Sequence, residues 1–108
     1  MTKFSDRIKK SAKISPIILA NDYDSKIPNI ESKTIRNIKL LNNYLCGIKI
    51  NFHLLLRLDK KQMTKINKTA HNFGLQSIAD IKLNDIGNTN SITVQNLWNM
   101  GFDAVIVN

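Results

Sequence analysis

Three glycines, Gly47, Gly74 and Gly101, stand 27 residues apart, and each separates a helix-like stretch from a short apolar run. The runs are Ile48-Lys49-Ile50-Asn51, Leu75-Gln76-Ser77-Ile78-Ala79-Asp80 and Phe102-Asp103-Ala104-Val105-Ile106-Val107. A glycine just past a helix end takes the left-handed conformation without a Cβ penalty, so each is expected to cap its helix and start a strand. The stretches before them carry helical spacing: Ile35, Ile38, Leu41 and Leu45 in one, Met63, Ile66, Ala70 and Phe73 in the next. Asp59 followed by Gln62 has the form of a capping box at a helix start. A first strand, Pro16-Ile17-Ile18-Leu19-Ala20, precedes the series, and its helix is expected after Pro28-Asn29. Phe4, Ile8 and Ala12 share one face of an N-terminal amphipathic helix.

The order is α-β repeated four times, which argues for a parallel sheet with right-handed crossovers. Alternation alone leaves open whether the sheet is a barrel or an open, doubly wound one. No GxGxxG follows the first strand, which weakens the dinucleotide-binding alternative. A (β/α)8 barrel takes about 250 residues, so four units in this length make half of one. Residues 1–108 are therefore expected to form the N-terminal half of a single α/β barrel domain, with no second domain. Its first and last strands would expose unpaired edges, so the chain is expected either to continue or to pair with another half.

Parallel strands covered on both faces are normally almost continuously apolar. Here charges stand near the C-terminal strand ends, where α/β barrels gather their catalytic groups. Asp22 follows the first strand, Lys49 lies in the second, Asp80 and Lys82 flank Ile81 in the third, and Asp85 follows shortly after. Side chains alternate along a strand, so Asp80 and Lys82 are expected on the same side. Buried charges are costly unless paired. Lys49, Asp80, Lys82 and Asp85 alternate in sign and are expected to form such a network; the bland alternative is a set of solvated loop charges.

Composition narrows the partners. Lys plus Arg is 16 against 8 for Asp plus Glu, a net +8, which suits phosphate-bearing ligands. Lysine dominates that surplus and aromatics are only 6%, so no nucleic-acid partner is expected. Cys46, the sole cysteine, is expected to be a buried small hydrophobe, and its solitude fits a reducing, cytoplasmic setting. His53 and His71 lack companions at ligand spacing, so no metal site is expected. No apolar run approaches the ~20 residues that span a bilayer, and no membrane partner is expected.

Asp80-Ile81-Lys82-Leu83-Asn84-Asp85 matches the Asp-x-Lys-x-x-Asp motif of the orotidine monophosphate decarboxylase suprafamily. The wider stretch to Ile86-Gly87-Asn88-Thr89-Asn90 resembles the decarboxylase branch itself. Leu19-Ala20-Asn21-Asp22, Ile48-Lys49-Ile50-Asn51 and Gly101-Phe102-Asp103-Ala104-Val105-Ile106-Val107 resemble its first, second and fourth strands. The sugar-phosphate decarboxylases and synthases of the suprafamily share the motif but typically carry Glu on the second strand and use Mg²⁺. Lys49 would repel a divalent cation, which favours the metal-free branch.

The resemblance implies decarboxylation of orotidine 5′-phosphate to UMP in pyrimidine biosynthesis, with no cofactor. It implies Lys82 as the ammonium that stabilises and protonates C6, Asp80 beside the scissile carboxylate, and Lys49 bridging the carboxylates and the ribose. Asp22 would bind a ribose hydroxyl, and Ile86 would line the substrate site. Asp85 and Thr89 would reach into the partner's site of a homodimer. The phosphate grip after the seventh and eighth barrel strands has no counterpart in these residues, so the isolated chain is expected to be poorly active. An inactive half-barrel and a basic binding module are the alternatives from other classes.

Overall fold

The computed structural model describes residues 2–107; Met1 and Asn108, which the expected 1–108 span includes, lie outside the described residues. The elements alternate as expected: α1 (Phe4–Ala12), β1 (Ile18–Asn21), α2 (Ile30–Leu41), β2 (Gly47–Asn51), α3 (Phe52–Arg57), α4 (Lys60–Asn72), β3 (Gln76–Leu83), α5 (Gly87–Asn99) and β4 (Ala104–Val107). The strands form one sheet in the order β1-β2-β3-β4, every neighbouring pair parallel. A doubly wound sheet reverses the direction of strand addition at a switch point. Sequential order without reversal is instead the winding of a (β/α)8 barrel, here over four of its eight units.

Register and burial assign the two faces of the sheet. Ile48 and Ile50 of β2 and Ala79 of β3 are buried in the core with Ile38 of α2, Leu54 of α3, Ile66 of α4 and Leu97 of α5. The alternate positions point the other way: Ala20 pairs with Lys49, Lys49 with Ile78, Ile78 with Ala104, and Asp80 with Ile106. That face is the inner one of a barrel, and its edge residues Ile18 and Ile106 are exposed. Each core isoleucine or leucine contributes about 1.5–3 kcal/mol by leaving water, so the helix-facing side anchors the fold.

The helix ends show why the glycine repeat is only partly uniform. Gly74 and Gly101 have φ of +76° and +91°. Behind each, the chain closes a Schellman motif. Gly74 N–H donates to His71 O (3.0 Å) and Leu75 N–H to Ala70 O (2.9 Å); Gly101 N–H donates to Trp98 O (2.9 Å) and Phe102 N–H to Leu97 O (3.2 Å). Gly47 departs from the expectation. It is not left-handed but opens β2, where an added Cβ would lie 2.9 Å from the carbonyl oxygen of Gln76 on the neighbouring strand. A close strand approach, rather than a helix cap, requires glycine there.

Other corrections are local. A 3-10 turn at Asn42–Tyr44 ends α2 early, so Leu45 packs in the core from beyond the helix while Leu41 is exposed. The buried stripe of α2 is Ile30, Thr34 and Ile38. Phe73 sits at the C-cap of α4 and is exposed, and the polar Asn67 takes a buried position beside Met63, Ile66 and Ala70. The crossover after β2 holds two helices, because Leu54 of α3 is fully buried and Asp59 then starts α4 with the expected capping box. Cys46 is buried, and burial pushes its thiol pKa up.

At the N-terminal strand ends a charged cluster ties α1 to the sheet. None of the residues of α1 is fully buried. Arg7 donates from Nε to Gln76 Oε1 (2.9 Å) and from Nη2 to Asp103 Oδ1 (3.4 Å), and Ser11 donates to Gly74 O (3.2 Å). Asp103 also accepts from the Ser77 amide (2.8 Å) and pairs with His71 Nε2 (2.7 Å). Burial raises the Asp103 pKa, but the hydrogen bonds from His71 and Ser77 and the charges of His71 and Arg7 outweigh it, leaving the carboxyl below its ordinary 3.8. A carboxyl with a depressed folded pKa contributes stability that is present above the unfolded pKa and lost as pH falls through the folded one. Asp103→Ala should therefore cost about 1–3 kcal/mol at neutral pH in urea unfolding, and the difference from wild type should shrink below about pH 4. A pH-independent difference would contradict the ionised cluster.

Candidate active site

The charged strand residues of the inner face are Lys49 and Asp80, among the described residues. Lys49, on β2, points inward in register with Ala20 and Ile78, and its Nζ lies 3.4 Å from Asp80 Oδ2. Asp80, one strand over, is buried. Lys82 Nζ donates to both of its oxygens, at 2.9 and 3.1 Å. Three of the four residues expected to form a network thus meet. Two ammoniums grip one carboxylate, and the Lys82 side chain remains 68% exposed. The hydrogen bond from Lys82 is the largest influence on Asp80; burial opposes it, and Lys49 and both charges add to it, so the carboxyl is held below the ordinary 3.8.

Lys82 reaches Asp80 by a route that strand alternation does not describe. Asp80 pairs with Ile106 and Leu83 with Val107, so Ile81 and Lys82 are extra residues in a bulge. Ile81 packs against the helix-side core. Lys82 has φ +48°, a left-handed conformation that non-glycine residues seldom take. The bulge turns the lysine back over the carboxylate two residues earlier, at the C-terminal end of the sheet. Backbone strain of this kind persists only where the surroundings enforce it, and it collects at functional sites.

Asp85 does not join the network. Its Oδ1 accepts from the Ile86 amide (2.7 Å), its own backbone is bonded to both side-chain polar atoms of Asn90, and it makes no ion pair among the described residues. Ile86 is exposed as the N-cap of α5, and Thr89 is exposed in the first turn of that helix. Asp22 is exposed immediately after β1. It stands between Asn21, whose Nδ2 donates to the buried Thr34 Oγ1 (2.9 Å), and Tyr23. Asn51 escaped the sequence reading: it lies two residues beyond Lys49 on the inner face and is in register with Asp80. The same alternation that aligned other positions would have found it. No group of three or more potential metal-ligating side chains occurs among the described residues.

The bulge makes a clean prediction. Lys82→Ala and Lys82→Gly both remove the ammonium, so their difference isolates the backbone. Lys82→Gly should be the more stable by about 1 kcal/mol in urea unfolding, because only glycine takes positive φ freely. Equal stabilities would contradict the left-handed geometry at this position.

Comparison with known proteins identifies the family. The family model described as Orotidine 5'-phosphate decarboxylase / HUMPS family matches residues 15–108. An orotidine 5'-phosphate decarboxylase from Thermococcus kodakarensis is 35% identical over 93 residues, covering 85% of this chain and 39% of the relative. One from Pyrococcus abyssi is 33% identical over 92 residues, covering 84% and 40%. The crystal structure of the Pyrococcus horikoshii orotidine 5'-phosphate decarboxylase superposes with a TM-score of 0.64 at 28% identity, over 84% of this chain and 40% of that one. A Toxoplasma gondii crystal structure assigned as an orotidine-monophosphate-decarboxylase gives a TM-score of 0.84 at 16% identity, over 98% of this chain and 40% of that one, a likeness of fold. The chain spans about 40% of the length of the relatives it matches. With that share of the barrel and its family model in place, the chain belongs to the orotidine 5'-phosphate decarboxylase / HUMPS family.

Proposed function

We propose that residues 1–108 act as the N-terminal half of a single (β/α)8 barrel that removes CO₂ from orotidine 5′-phosphate to give UMP, without a cofactor. The observation that carries this reading is Asp80 held between Lys49 and Lys82 at the C-terminal end of the sheet. Loss of CO₂ breaks the C6–carboxyl bond and leaves its electron pair on C6. A preorganised cation next to that carbon lowers the cost of the developing charge. Lys82 is suited to this task because its ammonium is fixed by Asp80 on one side and open on the other. It then transfers its proton to C6 and regains one from solvent.

Asp80, kept ionised, fixes Lys82 and lies beside the departing carboxylate. Lys49 offsets that negative charge and contacts the ribose. Asp22, free of ion pairs among the described residues, takes a ribose hydroxyl. Lys49 also separates this reading from the Mg²⁺-dependent sugar-phosphate branch, since an ammonium 3.4 Å from Asp80 stands where a divalent cation would need the carboxylate. Asp85, Ile86 and Thr89 form an exposed rim at the start of α5. In this reading Asp85 and Thr89 complete the site of a second subunit in a cytoplasmic homodimer, and Ile86 lines the substrate pocket. No helix among the described residues is long and apolar enough to cross a membrane.

Two measurements test the proposal. The 108-residue chain alone should turn over orotidine 5′-phosphate weakly, because binding of the remote phosphate contributes to rate as well as affinity. In a polypeptide that joins these residues to a phosphate-binding half, Lys82→Ala should lower kcat at least about 10²-fold to 10⁴-fold, followed as loss of substrate absorbance. Near-normal turnover by that variant would refute the assignment.

A further inference from the structure

The loop after β1 is tied down on both sides of Asp22, and the ties come from residues with no assigned role. Asn21, the last residue of β1, is buried and bonded to Thr34 of α2. Tyr23 is held twice: Asn37 Nδ2 of α2 donates to its hydroxyl (2.7 Å), and His53 Nε2 of α3 lies 2.9 Å from its carbonyl oxygen. A carbonyl can only accept, so His53 carries its proton on Nε2. Tyr23 also packs against the core. The residue between two fixed neighbours has little freedom of its own, although its side chain is exposed. A carboxylate meant to bind a mobile ligand gains from such restraint, because less motion is lost on binding.

We propose that Tyr23, clasped by Asn37 and His53, is a positioning residue that fixes Asp22 to receive a ribose hydroxyl. This rests on the reading of Asp22 as a ribose-binding group. The clasp also explains the short helix α3. It begins directly after β2, Leu54 seats it in the core, and the preceding residue, His53, is thereby brought against the β1 loop. The lips of strands β1 and β2 are joined through one imidazole.

The test uses the 108-residue chain, with uridine as the probe, in a double-mutant cycle of His53→Leu and Asp22→Asn. His53→Gln is the conservative variant, since its amide can still donate. His53→Leu should weaken uridine binding about fivefold, His53→Gln should restore most of it, and the loss should vanish in the Asp22→Asn background. An equal loss with and without Asp22 would overturn the positioning role. Amide hydrogen exchange on the same proteins separates the two readings. His53→Leu should speed exchange at Asp22 and Tyr23 at least about fivefold while leaving β3 unchanged. If wild-type chain binds no uridine but exchange responds in this way, the ribose reading of Asp22 fails and the clasp stands. Unchanged exchange at Asp22 and Tyr23 overturns the clasp itself.

Discussion

A buried carboxylate on the inner side of a parallel sheet must be matched by cations, and Asp80 is matched by two. The rest of the site depends on this match. Lys49 comes from the adjacent strand, so its approach requires β2 and β3 to keep their register. Lys82 comes from the same strand, so its approach requires the bulge and the left-handed backbone at that residue. Removing either ammonium would leave the carboxylate short of a partner, a situation that costs more than the pair is worth when intact. The arrangement carries one positive charge in excess, on the side of Lys82 that faces solvent. An anionic ligand is the natural complement of that excess.

The two ends of the strands divide the labour. At the N-terminal end, Arg7, His71 and Asp103 form a polar cluster that is closed on itself: Asp103 is satisfied by the Arg7 guanidinium, the His71 imidazole and the Ser77 amide, and Arg7 by Asp103 and Gln76. Such closure suits a structural role, and here it docks an N-terminal helix that buries none of its own residues fully. At the C-terminal end the charges stay open to a ligand. Barrels of this kind characteristically keep stability at the bottom of the sheet and chemistry at the top.

Much of this was legible in the chain. The 27-residue glycine spacing gave the alternation, and Asp59 with Gln62 marked the start of α4 down to the reciprocal cap. The Asp80–Lys82 pairing followed from residue identity and spacing, though through a bulge rather than simple alternation. What the sequence pattern left hidden was which group satisfies each residue, whether that group is near or far along the chain. Gly47 looked like a helix cap because local sequence does not reveal the carbonyl of Gln76 beside it. Asp85 looked like a network member because alternating sign in sequence does not show that Asn90 and the Ile86 amide engage it. The clusters at Asp103 and Tyr23 draw on residues scattered along the chain, and only the folded sheet brings them together.

The site depends on Asp80 being ionised between its two lysines. Titration of its side-chain carboxyl by carbon NMR measures that state directly. A midpoint below the ordinary aspartate value of 3.8, moving upward when Lys82 is replaced by alanine, is the predicted result. A midpoint above 3.8, or one indifferent to Lys82, would mean that the carboxylate is not held in this way, and the electrostatic basis of the site would fall with it.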